Sequence, residues 1–274
     1  MSIAVKSAER VVSILNVLAE MPAGLSFTEL LVKLDIPKSS LHALLATLAD
    51  SRMVVYYDVT KTYGLGPKIW EFSMAYYDRI SVVPLAWPYL QKLRGLFDET
   101  IQLAVRDGTD VVYVSKIEST RPIQLASHVG SRLPAYATGL GKAMLACLPV
   151  PMIDHLYPVS ELHRFTKNTI GTVTQLKEAL TKIRQVGYSE DHGEYSPHVH
   201  CMAVPIVGWK QQLIGALSIS GSEGRFPRDR AEMLAALRDT AQRLSAQMGA
   251  VNPEGWRQVS DEKLADAEIR PQLL

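Results

Sequence analysis

Two folded units are predicted for this chain of 274 residues: a small helical unit closed by a hairpin, then a larger α+β unit on an antiparallel sheet. Three observations carry that reading. Apolar residues recur at helical spacing up to Leu48, and a short β-branched and aromatic pattern follows. From Ile101 the spacing becomes that of strands, with Asp107-Gly108 as a hairpin turn. Helical stripes return between Thr138 and Gln185 and again from Pro227 to Met248. The length gives each unit ample core.

The first unit can be read element by element. Val11, Val12, Leu15 and Leu18 form one helical stripe, ended by Met21-Pro22-Ala23-Gly24. Ser26 and Glu29 have capping-box spacing, in which each side chain satisfies a free amide at a helix start. Phe27, Leu30, Leu31 and Leu34 follow at i, i+3, i+4, i+7. Asp35-Ile36 breaks the run, and Pro37 can open the next helix because its missing amide would be unpaired there anyway. Leu41, Leu44, Leu45 and Leu48 repeat the stripe. Met53–Tyr57 and Thr62–Gly66 then flank the polar turn Asp58–Lys61. Helix, tight turn, helix and hairpin make a winged helix-turn-helix over residues 1–66.

Residues 67–98 read as a linker. Pro67 opens a helix to about Asp78 whose Ile69, Trp70, Phe72 and Tyr76 are too apolar for a solvated connector, so a dimerising role is expected. Pro84 and Pro88 should interrupt, with Leu90, Leu93 and Leu96 resuming a helical face. In residues 99–250, Ile101–Val105, Val111–Ile117, Ile123–Ala126, Cys201–Val207 and Leu213–Ser220 read as strands. Thr138–Leu148 and Thr174–Gln185 read as helices, the second stopped by Gly187. Residues 251–274 turn polar and lose their period, so a mobile tail is expected.

Composition excludes several classes. No run of 18 or more residues lacks charge, so no membrane-spanning helix is expected, and the N-terminus lacks a signal-peptide core. Two cysteines make no disulfide framework and fit a reducing cytoplasm. Charge is less simple for a DNA-binding reading. Over residues 1–66, six bases (Lys6, Arg10, Lys33, Lys38, Arg52, Lys61) are matched by six acids (Glu9, Glu20, Glu29, Asp35, Asp50, Asp58). Phosphate attraction drives non-specific affinity, so one such unit should bind weakly and several copies should be needed.

An ordered set of motifs gives the chain a resemblance. Ser7-Ala8-Glu9-Arg10, Ile36-Pro37-Lys38-Ser39-Ser40 and Tyr63-Gly64-Leu65-Gly66 stand in the first unit. Gly130–Pro134, Ala137–Ala143, Gly187-Tyr188 with Asp191, and Cys201–Ile206 follow in the second. Over about residues 7–250 the chain resembles the IclR family of bacterial transcriptional regulators. The resemblance implies a winged helix-turn-helix, a linker helix and a GAF-like effector-binding domain. It also implies a dimer or tetramer on an inverted-repeat operator in double-stranded DNA. Control by a small organic, aromatic or sugar acid follows from it, as does a catabolic target, with repression favoured over activation. No enzyme activity and no cofactor are expected.

DNA contacts can be argued residue by residue. With the leucine stripe inward, the start of the recognition helix offers Lys38, Ser39 and Ser40, whose amides and hydroxyls can hold a phosphate. His42 and Thr47 can reach base edges, and Ala43 can meet a thymine methyl. The family commonly has arginine where Ala43 stands, so the strongest guanine reader is missing here. Lys61 at the wing tip and Arg10 are further phosphate contacts. For the effector, the resemblance implies Leu125, Leu133, Gly139, Leu140, Asp191, Cys201, Ser218 and Ser220. Glycines at 139 and 141 let amides approach a carboxylate, and Ser218 and Ser220 share a strand face.

Two rival chemistries start from the same region. Gly139-Leu140-Gly141-Lys142 superficially looks like a phosphate loop, but Tyr136 stands in place of its first glycine and Ala143 in place of its Ser/Thr. His198, His200 and Cys201 offer a metal or thiol centre, which would make the chain a hydrolase with an accessory winged helix.

Overall fold

The computed structural model describes residues 5–77, 82–121, 127–222 and 230–258, and the chain divides into two units between Ser81 and Val82. In the first unit the helices are α1 (Lys6–Ala19), α2 (Phe27–Lys33) and α3 (Lys38–Asp50). Strands β1 (Val54–Tyr57) and β2 (Thr62–Leu65) form the hairpin, and α4 (Pro67–Tyr77) follows. The capping box closes as expected: Glu29 N–H donates to Ser26 Oγ at 3.3 Å, and Ser26 N–H donates to Glu29 Oε2 at 2.7 Å. The Ser26 hydroxyl, which also donates to Glu29 Oε2 at 2.7 Å, and the Ser26 amide hold the Glu29 carboxyl below its ordinary range.

Ile14, Leu18, Leu30, Leu34, Leu41, Leu45, Leu48 and Val54 form the core of this unit. Val12 is not part of it. It is 56% exposed, and Ile14 takes the buried place, because a face of 3.6-residue period through Val11 and Leu18 passes through position 14. A third chain segment joins the hairpin where Leu25 and Tyr63 of β2 exchange backbone bonds of 2.9 and 2.7 Å. Gly24 makes this approach feasible. It sits at φ +77°, and a Cβ there would lie 2.8 Å from the Tyr63 carbonyl oxygen.

The second unit begins with α5 (Val82–Phe97), then β3 (Thr100–Asp107), β4 (Asp110–Ile117) and β5 (Arg132–Pro134). Next come α6 (Gly139–Leu145), α7 (Val150–Leu156), α8 (Val173–Val186) and β6 (Ser189–His192). The unit ends with β7 (Val199–Val207), β8 (Leu213–Ser222) and α9 (Arg230–Gln247). The six strands form one antiparallel sheet in the order β5-β4-β3-β8-β7-β6. Helices α5 and α9 pack on its strands from one side, and α6 and α8, packed on each other, cover the other. Both faces are therefore buried, so β7 from Cys201 onward reads as one continuous apolar run rather than an alternating one.

Several expected boundaries move. The prolines do not interrupt α5: Pro84 lies in its first turn and Pro88 inside it, while Val83, Ala86, Leu90 and Leu93 are buried. Packing along that stripe outweighs the lost backbone bond. Leu96, expected on the same face, is 58% exposed. The first expected helix of this unit ends at Leu145, and Pro149 caps the separate α7. Helix α8 matches its expected span, with Thr172 capping its start and Gly187 in the left-handed conformation at its end. The expected strand at 123–126 lies outside the described residues. Of the stretch read as a mobile tail, residues 251–258 continue into a short 3₁₀ turn, Gly255–Gln258, with Trp256 buried in the main core, and residues 259–274 lie outside the described residues.

Candidate functional site

On α3 the leucines turn inward, and Lys38, Ser39, His42, Ala43 and Thr47 are exposed. Ser40 is only half-exposed, and its hydroxyl lies 3.5 Å from Arg10 Nη1, which brings those two residues together beside α1. Thr47 donates its hydroxyl proton to the Ala43 carbonyl at 3.0 Å, so a base edge would find only its acceptor and its methyl. The His42 ring stands edge-on to Phe27, with centroids 6.3 Å apart. Lys38, Ser39 and His42 line a surface cavity of about 730 Å³ with Phe27 and with Tyr63 of the wing. Lys61 sits apart at the hairpin turn, at φ +56° and 3.9 Å from Asp58. The face is broad, exposed and nearly uncharged.

The second unit holds a cavity of about 550 Å³ between the sheet and the start of α6. Leu133, Gly139, Leu140, Asp191, Cys201 and Ser220 line it. Register explains part of the grouping. Asp191 pairs with Cys201 and Cys201 with Ser220 across three adjacent strands, so the three side chains stand abreast on one face. Ser218 does not reach the cavity. It is fully buried one row away, its hydroxyl 3.5 Å from Gln102 Oε1. Leu125 lies outside the described residues.

The two glycines serve packing. A Cβ at Gly139 would lie 2.9 Å from Cys201 Sγ, so the start of α6 rests directly on β7. A Cβ at Gly141 would lie 2.1 Å from the Ala135 carbonyl oxygen, which places Gly141 against backbone rather than against a ligand. Its N–H is already held by Thr138 Oγ1 at 3.0 Å. Asp191 accepts from the Glu194 amide at 2.7 Å, yet burial raises its carboxyl to about 6. Lys142 forms a buried ion pair with Glu194 and is not free to hold a phosphate.

The hydrolase reading fails on the same geometry. Neighbouring residues of a strand point to opposite faces, so Cys201 faces the cavity while His200 faces away. There His200 meets His192, with ring centroids 4.9 Å apart. His198 sits in a left-handed turn at φ +63°. Burial pushes the Cys201 thiol up to about 12, which suppresses the thiolate that nucleophilic attack needs.

The sequence reading missed Gln102, Tyr113, His128, Ser131 and Tyr195, which also line the cavity. Gln102 carried a signal: it is the one polar residue in the run Ile101–Val105. Its role emerges only from pairing, since it stands opposite Ser218 and accepts from Ser220 at 3.1 Å.

A winged helix-turn-helix followed by a sheet unit with a ligand-sized cavity defines a class, that of DNA-binding regulators carrying their own effector-binding unit. The comparisons place the chain within it. Residues 7–57 match the IclR helix-turn-helix domain, and residues 74–246 match the family described as bacterial transcriptional regulator IclR C-terminal. The chain belongs to the IclR family of transcriptional regulators. It is 31% identical over 246 residues to the regulator KdgR of Escherichia coli K12, covering 89% of this chain and 93% of the relative. It is 29% identical over 242 residues to the repressor AllR of the same strain, covering 88% and 89%. The IclR crystal structure from Thermotoga maritima superposes with a TM-score of 0.74 at 27% identity, covering 89% of this chain and 99% of that one. These relatives are regulators, not enzymes. Among the described residues no helix is long and apolar enough to cross a membrane.

Proposed function

We propose that this regulator holds a small organic acid in the cavity of the second unit and that occupancy changes how copies of the first unit meet an inverted-repeat operator. The observation that carries the reading is the convergence of six expected residues, from β5, α6, β6, β7 and β8, on one cavity of about 550 Å³. Control requires different affinities of the effector for two arrangements of the copies. Repression is the favoured sign, in keeping with the repressor among the relatives.

The division proposed is a reader at 1–66, a connector at 67–98 and a sensor from 99 to about 250. A dimer or tetramer fits the connector, because Trp70 is 70% exposed and Phe72 50% exposed on α4. In the reader, Lys38, Ser39, His42, Ala43 and Thr47 are assigned to the groove, Lys61 to a phosphate, and Arg10 with Ser40 to support of the helix start. The test is a gel-shift titration of DNA upstream of the chain's own gene. Ser39→Glu places a carboxylate on the exposed helix start, and we expect it to abolish retardation while leaving the melting temperature unchanged. Persistent binding would show that α3 does not enter the groove.

A further inference from the structure

Past its first turn, the outward face of α3 is made largely of methyl groups. We propose that Ala43, Ala46 and Thr47 select half-sites by the C5-methyl groups of thymines in the major groove, so that the reader recognises its operator by apolar contact. The proposal rests on α3 entering the groove, as assigned above, and names what it reads there.

The side chains on offer decide this. Base pairs are told apart in the major groove chiefly by side-chain hydrogen bonds: Arg or Lys to guanine, Asn or Gln to adenine, Asp or Glu to cytosine. Between its first residue, Lys38, and its last, Asp50, the helix carries none of these. Lys38 stands beside Ser39 at the helix start, where free amides and the positive helix end favour a phosphate. Asp50 stands at the negative end, and its carboxylate holds the last turn away from the DNA backbone. Past Ser39 and before Asp50, the exposed residues are His42, Ala43, Ala46 and Thr47. His42 adds one imidazole, its ring already seated against Phe27.

Geometry gathers the methyls. With Leu41, Leu45 and Leu48 buried, positions 43, 46 and 47 fall on the outward side of the helix. Ala43 is three residues from Ala46 and four from Thr47, spacings that put Cβ atoms about 5–6 Å apart. Bases along one strand rise by about 3.4 Å each, so the patch covers about two steps of a half-site. Thr47 belongs to it as a methyl, because its hydroxyl is turned back to the Ala43 carbonyl at 3.0 Å. Among the four unmodified bases, thymine alone puts a methyl into the groove.

The surrounding charges leave this contact a large share of the affinity. Arg52 lies 3.9 Å and Lys68 2.5 Å from Glu71, and Lys61 lies 3.9 Å from Asp58. Each of these cations already faces a carboxylate, which weakens its pull on a phosphate. Burial of methyl against methyl is not weakened in that way.

Uracil differs from thymine by this methyl alone, which makes the test direct. Full-length protein is titrated by fluorescence anisotropy against the DNA upstream of the chain's own gene, and against the same fragment synthesised with uracil in place of thymine. At about fourfold per methyl taken out of water, several contacts in each copy should make binding to the uracil fragment at least tenfold weaker. Ala43→Ser, Ala46→Ser and Thr47→Ser, combined in one chain, should bring that ratio below threefold. Thr47→Ser alone, which keeps the hydroxyl, should lower it at least twofold. The ratio is taken within each protein, so a general loss of stability divides out, and a preference arising from altered DNA shape would survive both variants. Equal binding of the two fragments by the wild type, or a ratio that either variant leaves unchanged, overturns the methyl reading. If the wild type binds neither fragment, or Ser39→Glu binds the thymine fragment as tightly as the wild type, the placement of α3 itself fails.

Discussion

Asp191 lies beside a buried lysine, yet its titration is governed by desolvation. Its carboxyl sits at about 6 rather than 3.8. In the folded protein it keeps a proton that the unfolded chain has already lost between those values. Stability therefore falls as pH rises from about 4 to about 6 and is level above that. At 1.36 kcal/mol per unit the whole effect is on the order of 3 kcal/mol. We expect Asp191→Asn to remove this slope from urea midpoints measured between pH 4 and 7, and an unchanged slope would assign it to another group. Glycine positions divide just as sharply. Gly141→Ala would force a Cβ into the Ala135 backbone, and a loss of about 3 kcal/mol, the upper end for overpacking, is expected in chemical denaturation. Gly95 is exposed on α5 with nothing near its missing Cβ, so Gly95→Ala should gain about 1 kcal/mol.

Among the elements, those with a periodic stripe and a punctuating residue were legible from the sequence. Helices α2 and α8 show both, with Ser26 and Thr172 at their starts and Gly187 after the second. Strands β5 and β6 were not legible. Each is short, and β6 reads Ser-Glu-Asp-His, so its place comes from pairing with β7 rather than from its own hydrophobicity. Helix α5 misled in the opposite way: two prolines signal a break, and long-range burial overrides them. The site shows the same division. Gly139, Leu140, Asp191, Cys201 and Ser220 could be placed through the family's motifs. Gln102 and His128 could not, because cross-strand register is a property of the assembled sheet. One consequence belongs to α2. Ser26→Ala removes a cap and should cost the first unit about 1 kcal/mol, read as a lower midpoint of its own transition.

For the molecule as a whole, the division at residues 81 and 82 implies two melting events. Trp256 is 3% exposed and belongs to the core that includes Ala135, Leu140 and Leu176 of the second unit. Trp256→Ala should cost that unit about 3 kcal/mol. In calorimetry we expect one transition to move down and the other to stay. A shift of both by the same amount would show that the units melt as one.

The place of Trp256 also has a consequence during synthesis. The last indole needed by the second core is among the final described residues to leave the ribosome, and β3 must wait for β8 before its inner edge is paired. At about 5–20 residues per second, the chain beyond Ser81 takes on the order of 10 to 40 s to emerge. The first unit has all its own core residues by then and can fold at once. For that interval a finished DNA-reading unit is tethered to an unfinished sensor, on a nascent chain next to messenger RNA. Its six-to-six charge balance gives it little pull toward nucleic acid in that state. Until the second unit is complete, the first therefore has no excess of positive charge with which to draw nucleic acid to itself.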